Sequence, residues 1–305
     1  MCGIAGVLDK SGGLPGTLGQ TVLGMLEALG CRGPDSAGVA LFAAAPLDRL
    51  VLRVKLGDDA EQNGRFAENA KRIIAAAKTG KAKVESSTTA AYLRLAVEET
   101  DPRELERRIE SSAEGVEVVS MGRQLEIVKQ VGSPRRLDET YGVSQFEGRH
   151  GIGHTRLSTE SKVDLSHSQP FWAHGVPDLA VVHNGHITNY HKLRRKYEQR
   201  GTRFYTANDS EIIGVYLAGR LAEGLTLEEA MRASVADLDG SFSYLAARGD
   251  SLGFARDQFA LKPLMFADTD KFVAVATEEI AIRAMFTGNY RVREAQAREV
   301  RVWRT

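Results

Sequence analysis

Met1-Cys2-Gly3-Ile4-Ala5-Gly6-Val7-Leu8 sets a cysteine in second place, directly before a short apolar run. Residues 3–8 read as a buried strand. A cysteine side chain is small enough for the initiator methionine to be clipped off, which would leave Cys2 with a free α-amino group. Its thiol, of reference pKa ~8.5, would then sit beside an amine of pKa ~7.7–8.0. The amine can accept the thiol proton with little penalty and later return a proton to a leaving group. An N-terminal nucleophile of this kind needs no separate histidine base. A cysteine in second place is common, so on its own it decides nothing.

Working outward, Leu18, Val22, Met25, Leu26 and Leu29 recur at helical spacing, with Gly30 as a stop. A loop over 32–36 leads into a strand over 37–43. Residues 58–80 look like a solvated helix and 88–131 like a small α/β unit. That unit has a strand over 89–97, a helix starting at Asp101-Pro102, and strands over 116–120 and 125–131 joined by a turn at Met121-Gly122. Nothing in 58–120 carries a catalytic constellation, so it reads as an inserted docking or lid element within a domain spanning 2–305. Further on, a strand over 151–155 leads to Arg156, and one over 179–183 leads to a turn at Asn184-Gly185. Helices follow over 189–200 and 210–222, the second with Asp209 beside its start. Strands over 241–247, 252–256, 264–267 and 272–276 and a helix near 277–286 complete the pattern. Strand runs bounded by helix runs predict α+β layers, not a doubly wound parallel sheet.

Lys plus Arg and Asp plus Glu number 40 each in the 305 residues, so no basic field exists to hold nucleic acid or an anionic membrane. No run approaches the ~20 apolar residues that span a bilayer, and no signal-peptide pattern is present; the expected location is cytoplasmic. The only cysteines, Cys2 and Cys31, exclude a disulfide framework and an iron–sulfur cluster held by four cysteines of this chain. Cys31 reads as a small buried hydrophobe. All seven histidines fall between 150 and 191. His183, His186 and His191 lack the i, i+4 spacing of a helical metal pair and read as structural or surface residues, with no metal site.

Six blocks carry a resemblance. Met1-Cys2-Gly3-Ile4-Ala5-Gly6, Arg32-Gly33-Pro34-Asp35-Ser36-Ala37-Gly38, Gly153-His154-Thr155-Arg156-Leu157-Ser158-Thr159, Ser168-Gln169-Pro170-Phe171, His183-Asn184-Gly185 and Asn208-Asp209-Ser210-Glu211 resemble, in order, the blocks of class II glutamine amidotransferases. The resemblance covers about 3–57 and 124–280 and leaves 58–120 outside it. It implies the N-terminal-nucleophile hydrolase fold, a four-layer α/β/β/α sandwich. It also implies roles: Cys2 as nucleophile, and the Asn184 amide and Gly185 N–H as oxyanion donors. Arg156 would clamp the substrate carboxylate with Thr159 beside it, Asp209 would meet the substrate ammonium, and Arg32 would shape the site. Leu157 departs from the pattern, since relatives often carry an aromatic there.

The resemblance leaves no room for a synthase domain after the glutaminase-like segment, so the synthase is expected on another chain. Free-standing subunits of this type resemble the amidotransferase part of glutamate synthase and the small subunit of N-methylglutamate synthase. That implies a hetero-oligomer whose flavin and iron–sulfur centres belong to the partners, with no cofactor in this chain. Two rivals stay open: an N-terminal-cysteine amidase acting on another amide, and a catalytically silent scaffold. Arg156 and Asp209, which suit a free amino acid, argue against the first.

Overall fold

The computed structural model describes residues 2–57, 65–78, 83–98, 101–157 and 163–305. The first third of the chain forms β1 (Gly3–Asp9), α1 (Leu18–Ala28), β2 (Ser36–Phe42), β3 (Leu50–Lys55), α2 (Arg65–Ala77), β4 (Val84–Thr89) and β5 (Tyr92–Val97). Then come α3 (Pro102–Glu110), β6 (Glu117–Gly122), β7 (Leu125–Val131), α4 (Pro134–Tyr141), β8 (His150–Arg156), β9 (Phe171–Trp172) and β10 (Leu179–Ile187). Three helices follow, α5 (Tyr190–Glu198), α6 (Ser210–Ala222) and α7 (Leu227–Asp237). The last part holds β11 (Gly240–Arg248), β12 (Ser251–Arg256), β13 (Met265–Asp268), β14 (Phe272–Ala276), α8 (Glu279–Met285), β15 (Val292–Glu294) and β16 (Val300–Arg304).

Two sheets face each other. One has the order β15-β13-β14-β1-β8-β2-β7, the other β16-β12-β11-β10-β9. Ile4, Leu8 and Ile152 of the first pack against Ala180, Val182 and Leu245 of the second. The outer face of the first sheet is covered by α1, α4 and α8 through Leu26, Leu137 and Ile282. That of the second is covered by α5, α6 and α7 through Tyr190, Ile213 and Met231. The result is the expected four-layer α/β/β/α sandwich. It explains why β1 reads as a continuous apolar run: a central strand buried on both faces has no solvent side to alternate with.

A third sheet, β4-β5-β3-β6, is built from residues on both sides of position 58 and carries α2 and α3. Its apolar side chains, among them Leu52, Leu95 and Val118, form one buried cluster with the core between the two large sheets. Glu106, Glu110 and His174 bring potential ligand atoms within 4.8 Å of one another beside it. Those atoms are already bonded, His174 Nδ1 lying 2.7 Å from Glu106 Oε1 and the Tyr205 hydroxyl donating to Glu110 at 2.6 Å.

Several local expectations change. The strand expected over 89–97 is β5, which begins only at Tyr92, because the chain reverses at Ala90-Ala91 after β4 and Ala90 takes φ +50°. Strands β6 and β7 turn at Arg123-Gln124 and do not pair: β6 joins β3 and β7 joins β2. The Asp178 carboxylate holds that turn, accepting from the N–H groups of Arg123, Gln124 and Leu125 at 2.8–2.9 Å. Asn184-Gly185 is not a turn but lies inside β10. Helix α1 ends at Ala28 and runs into a 3₁₀ turn, Gly30–Arg32, which leaves Cys31 exposed and not buried. Helix α7 was not anticipated, although Thr226 and Glu229 form a capping box at its start, a pattern legible in sequence. Among the described residues no helix is long and apolar enough to cross a membrane.

Candidate active site

The register of β1 decides what surrounds Cys2. Gly3 lies opposite Thr155 of β8, so one step further sets Cys2 beside Arg156, the last residue of that strand. On the other side β1 pairs with β14, and Ile4 meets Thr277 just beyond its end. Ile4 N–H donates to Thr277 Oγ1 at 2.8 Å, and Thr277 N–H donates back to Ile4 O at 3.0 Å. The Cys2 thiol is partly exposed and points its S–H at Leu157 O, 3.7 Å away. It opens into a cavity of about 490 Å³.

The facing sheet supplies the next two groups. Along β10 the side chains of Ala180, Val182 and Asn184 alternate into the space between the sheets. Asn184 Nδ2 there donates to Cys2 O at 3.1 Å and to Thr277 Oγ1 at 3.3 Å. Gly185 has φ +135°, and a Cβ on it would lie 2.1 Å from Ser241 O, so no other residue fits. Its neighbour across β11, Phe242, directs both backbone groups to Asp257, donating to Oδ2 at 2.9 Å and accepting from Asp257 N–H at 3.0 Å. Gly185 and Phe242 are therefore a non-hydrogen-bonded pair, and the N–H groups of His183, Gly185 and Ile187 point away from β11. β9 covers that edge only at Ala180 and Val181. Beyond it, His183 N–H goes to Gln169 Oε1 at 2.6 Å and Ile187 N–H to Asp209 Oδ2 at 2.7 Å. Between those two the Gly185 N–H faces the cavity that the residue lines.

Asp209 precedes α6 without capping it by its side chain. Its carboxylate instead turns back to β10, where His186 Nδ1 and His183 Nδ1 lie 3.6 and 3.8 Å away. Asn208 fixes the bend by accepting from Ser210 N–H at 3.0 Å. Arg156 is 5% exposed; burial lowers its pKa, and the neighbouring Cys2, Asp164 and Asp35 act in the opposite sense. Arg32 lines the same cavity and is anchored by Glu278, Nε to Oε1 at 2.6 Å. The structure thus brings Cys2, Arg32, Arg156, Asn184, Gly185 and Asp209 to one cavity. Thr159 lies outside the described residues, as does Met1.

Three residues without a role in the sequence reading complete the walls. Gln169 Nε2 donates to His183 O at 3.0 Å and Ser210 Oγ at 3.2 Å, tying the cavity floor to α6. His183 is buried, which lowers its pKa and keeps it neutral, and its Nδ1 lies 2.8 Å from Ser210 Oγ. Thr277 had no signal in its own neighbourhood, since it arrives only through the pairing of β14 with β1. Chemically, the cavity offers a thiol, two N–H donors from the facing sheet, a guanidinium and a carboxylate. That set suits a zwitterionic amino acid bearing a side-chain amide.

Comparison with known proteins points to glutamine amidotransferases. Residues 154–284 match the family described as "Glutamine amidotransferase domain". The chain is 37% identical to a "Putative glutamine amidotransferase" of Methanothermobacter thermautotrophicus, over 99% of either chain. It is 34% identical to the "Glutamine amidotransferase-like protein GlxB" of Rhizobium meliloti, over 92% of this chain and 91% of that one. Among solved structures it resembles the glutamine phosphoribosylpyrophosphate amidotransferase of B. subtilis, with a TM-score of 0.60 and 18% identity, over 99% of this chain and 49% of that one. At that identity the likeness speaks for the fold alone, the four-layer α/β/β/α sandwich.

Proposed function

Because the chain belongs to the class II glutamine amidotransferases, we propose that it hydrolyses glutamine to glutamate and ammonia through Cys2, freed by removal of Met1. The Cys2 thiol gives its proton to its own α-amine, and the sulfur attacks the side-chain carbonyl carbon of glutamine. The oxyanion that forms is met by the Asn184 amide and the Gly185 N–H. The amine proton passes to the departing nitrogen, ammonia leaves, and a thioester remains. Water then attacks the thioester, giving its proton to the amine, and glutamate departs as the thiol is restored. Arg156 holds the substrate α-carboxylate, where a planar fork fits. Asp209 faces the ammonium, Arg32 shapes the wall, and Thr159 is assigned to the carboxylate end.

One observation carries this reading: a buried guanidinium and a carboxylate line the same cavity as a thiol that follows the initiator position. An acylase site would have no use for both charges. The test is a glutamate-release assay on Arg156→Ala and Asp209→Ala. Each should raise KM for glutamine by roughly 10²-fold, the scale of leaving one charge of a buried pair without its partner, with kcat much less affected. Unchanged KM with lost kcat would remove the clamp assignment, and no glutamate release from wild type would favour the silent scaffold.

The chain works, in our reading, as the ammonia-donating subunit of a cytoplasmic, glutamate-synthase-like hetero-oligomer, of the N-methylglutamate synthase type, whose flavin and iron–sulfur centres lie in partner subunits. Ammonia is worth channelling because at neutral pH most of it is ammonium, which is no nucleophile. Support comes from the rim of the cavity. Phe259 and Leu261, 58% and 73% exposed, directly precede Lys262 and Pro263, which line its wall. Large apolar side chains exposed at a site mouth mark a surface for a partner to cover. Residues 58–120, as an inserted element, would add docking contacts along β4, whose outer edge pairs with no other strand among the described residues. Purification from the native host should bring down a flavin-containing, glutamate-synthase-like chain. Phe259→Asp with Leu261→Asp should weaken that association more than glutaminase turnover. A native monomer with full, uncoupled glutaminase activity would point instead to a simple amidase.

A further inference from the structure

The Asn184 amide is fixed from three directions. Its Nδ2 reaches Cys2 O and Thr277 Oγ1, and its Oδ1 lies 3.2 Å from His154 Nε2. Turned over, the amide oxygen would face the lone pairs of the Cys2 carbonyl, so only one orientation is tenable. A carbonyl oxygen can only accept, and the proton of His154 must therefore sit on Nε2. We infer that His154, as the Nε2–H tautomer, is a positioning residue that holds the Asn184 amide with its NH₂ turned toward Cys2; this rests on the reading of Asn184 as an oxyanion donor.

His154 comes from β8, in the opposite sheet, so the bond crosses the middle of the sandwich. The ring is 1% exposed, and burial pushes its pKa down to about 3, which keeps it neutral at working pH. Its other nitrogen, Nδ1, is buried and has no hydrogen-bond partner among the described residues. An unsatisfied buried acceptor is unfavourable, and an apolar side chain would fill an inter-sheet position at less cost to stability. Packing alone therefore gives no reason for imidazole here. A donor to Oδ1 does: it fixes the amide plane and, by polarising the amide, strengthens the N–H groups on the other side. His154 is not among the residues lining the cavity and reaches it through Asn184 and the adjoining backbone of His183.

The test compares His154→Leu, His154→Gln, Asn184→Ala and the His154→Leu/Asn184→Ala double variant. His154→Leu should lose roughly 10²-fold in kcat, the scale of a small misplacement of a catalytic group, with KM for glutamine unchanged. His154→Gln, whose amide can still donate to Oδ1, should recover most of that loss. Alkylation of Cys2 by iodoacetamide, which forms no oxyanion, should proceed at the wild-type rate in both. If leucine disturbed the fold and slowed alkylation, the glutamine variant and the tautomer would decide. Nitrogen NMR of the wild-type imidazole should show Nε2 protonated and Nδ1 bare at neutral pH, and the opposite tautomer would overturn the inference. The double variant should be no slower than Asn184→Ala, because groups that act as a unit are not additive; a further loss would overturn it as well. Wild-type kcat in His154→Leu beside a large loss in Asn184→Ala would defeat this inference and leave the oxyanion reading standing. Wild-type kcat in Asn184→Ala would defeat that reading itself.

Discussion

Cys2→Ala should abolish glutamine hydrolysis and leave the fold intact. The thiol is partly exposed and, among the described residues, makes only a long S–H contact to Leu157 O. Removing it forfeits little packing, and thermal unfolding should shift by no more than the ~0.5 kcal/mol typical of a substitution away from core features. In the proposed mechanism activity rests on the pair formed by the thiol and the α-amine, because His183 is bonded to Ser210 and His154 to Asn184. Retention of Met1 should therefore be as damaging as loss of the thiol: the amine would be an amide nitrogen without basicity. Intact-mass measurement on active protein should show Met1 absent. Cys31→Ala is the matching control, since that residue is exposed and outside the cavity, and it should retain turnover. Full glutaminase activity in Cys2→Ala would end the proposed mechanism.

Asn184→Ala should lower kcat by roughly 10²–10³, the usual loss for one oxyanion donor, with KM for glutamine nearly unchanged. The geometry adds a second consequence. Both N–H bonds of the amide are directed at Cys2 O and Thr277 Oγ1, so the amide must share or release one of them as the oxyanion forms. Alanine also leaves His154 Nε2 without its acceptor, and a buried unsatisfied group costs about 1–3 kcal/mol. Kinetics and thermal unfolding should therefore be read together: a drop in kcat in protein still folded at the assay temperature is the expected result. A raised KM with normal kcat would move Asn184 from the oxyanion to substrate binding. That split is the reverse of the one expected for Arg156 and Asp209, so the two assignments are tested independently.

Much of this was legible in the chain alone wherever the cause is local. The apolar run after Cys2 could only be an interior strand, and Asp101-Pro102 could only open a helix; Asp101 does accept from the N–H groups of Arg103 and Glu104 at 3.1 Å. Local patterns also misled. Asn-Gly is the strongest short-range signal for a tight turn, yet Gly185 uses its freedom to keep β10 close to β11. Two adjacent alternating stretches looked like one hairpin, but β6 and β7 belong to different sheets. The carboxylate that holds their turn, Asp178, comes from more than fifty residues away.

The sequence by itself determined the layered α+β architecture and the cast of polar residues that share the cavity, because residue type and short-range periodicity suffice for those. Only the tertiary structure decided how that cast is arranged. Thr277 reaches Ile4, two residues from Cys2, because β14 pairs with β1, Glu278 anchors Arg32 from the same corner, and His154 meets Asn184 because two sheets stack face to face. Each of these contacts joins segments between 30 and 273 residues apart. Strand register and sheet packing set such contacts through burial of the whole core, and no local pattern in the chain records them.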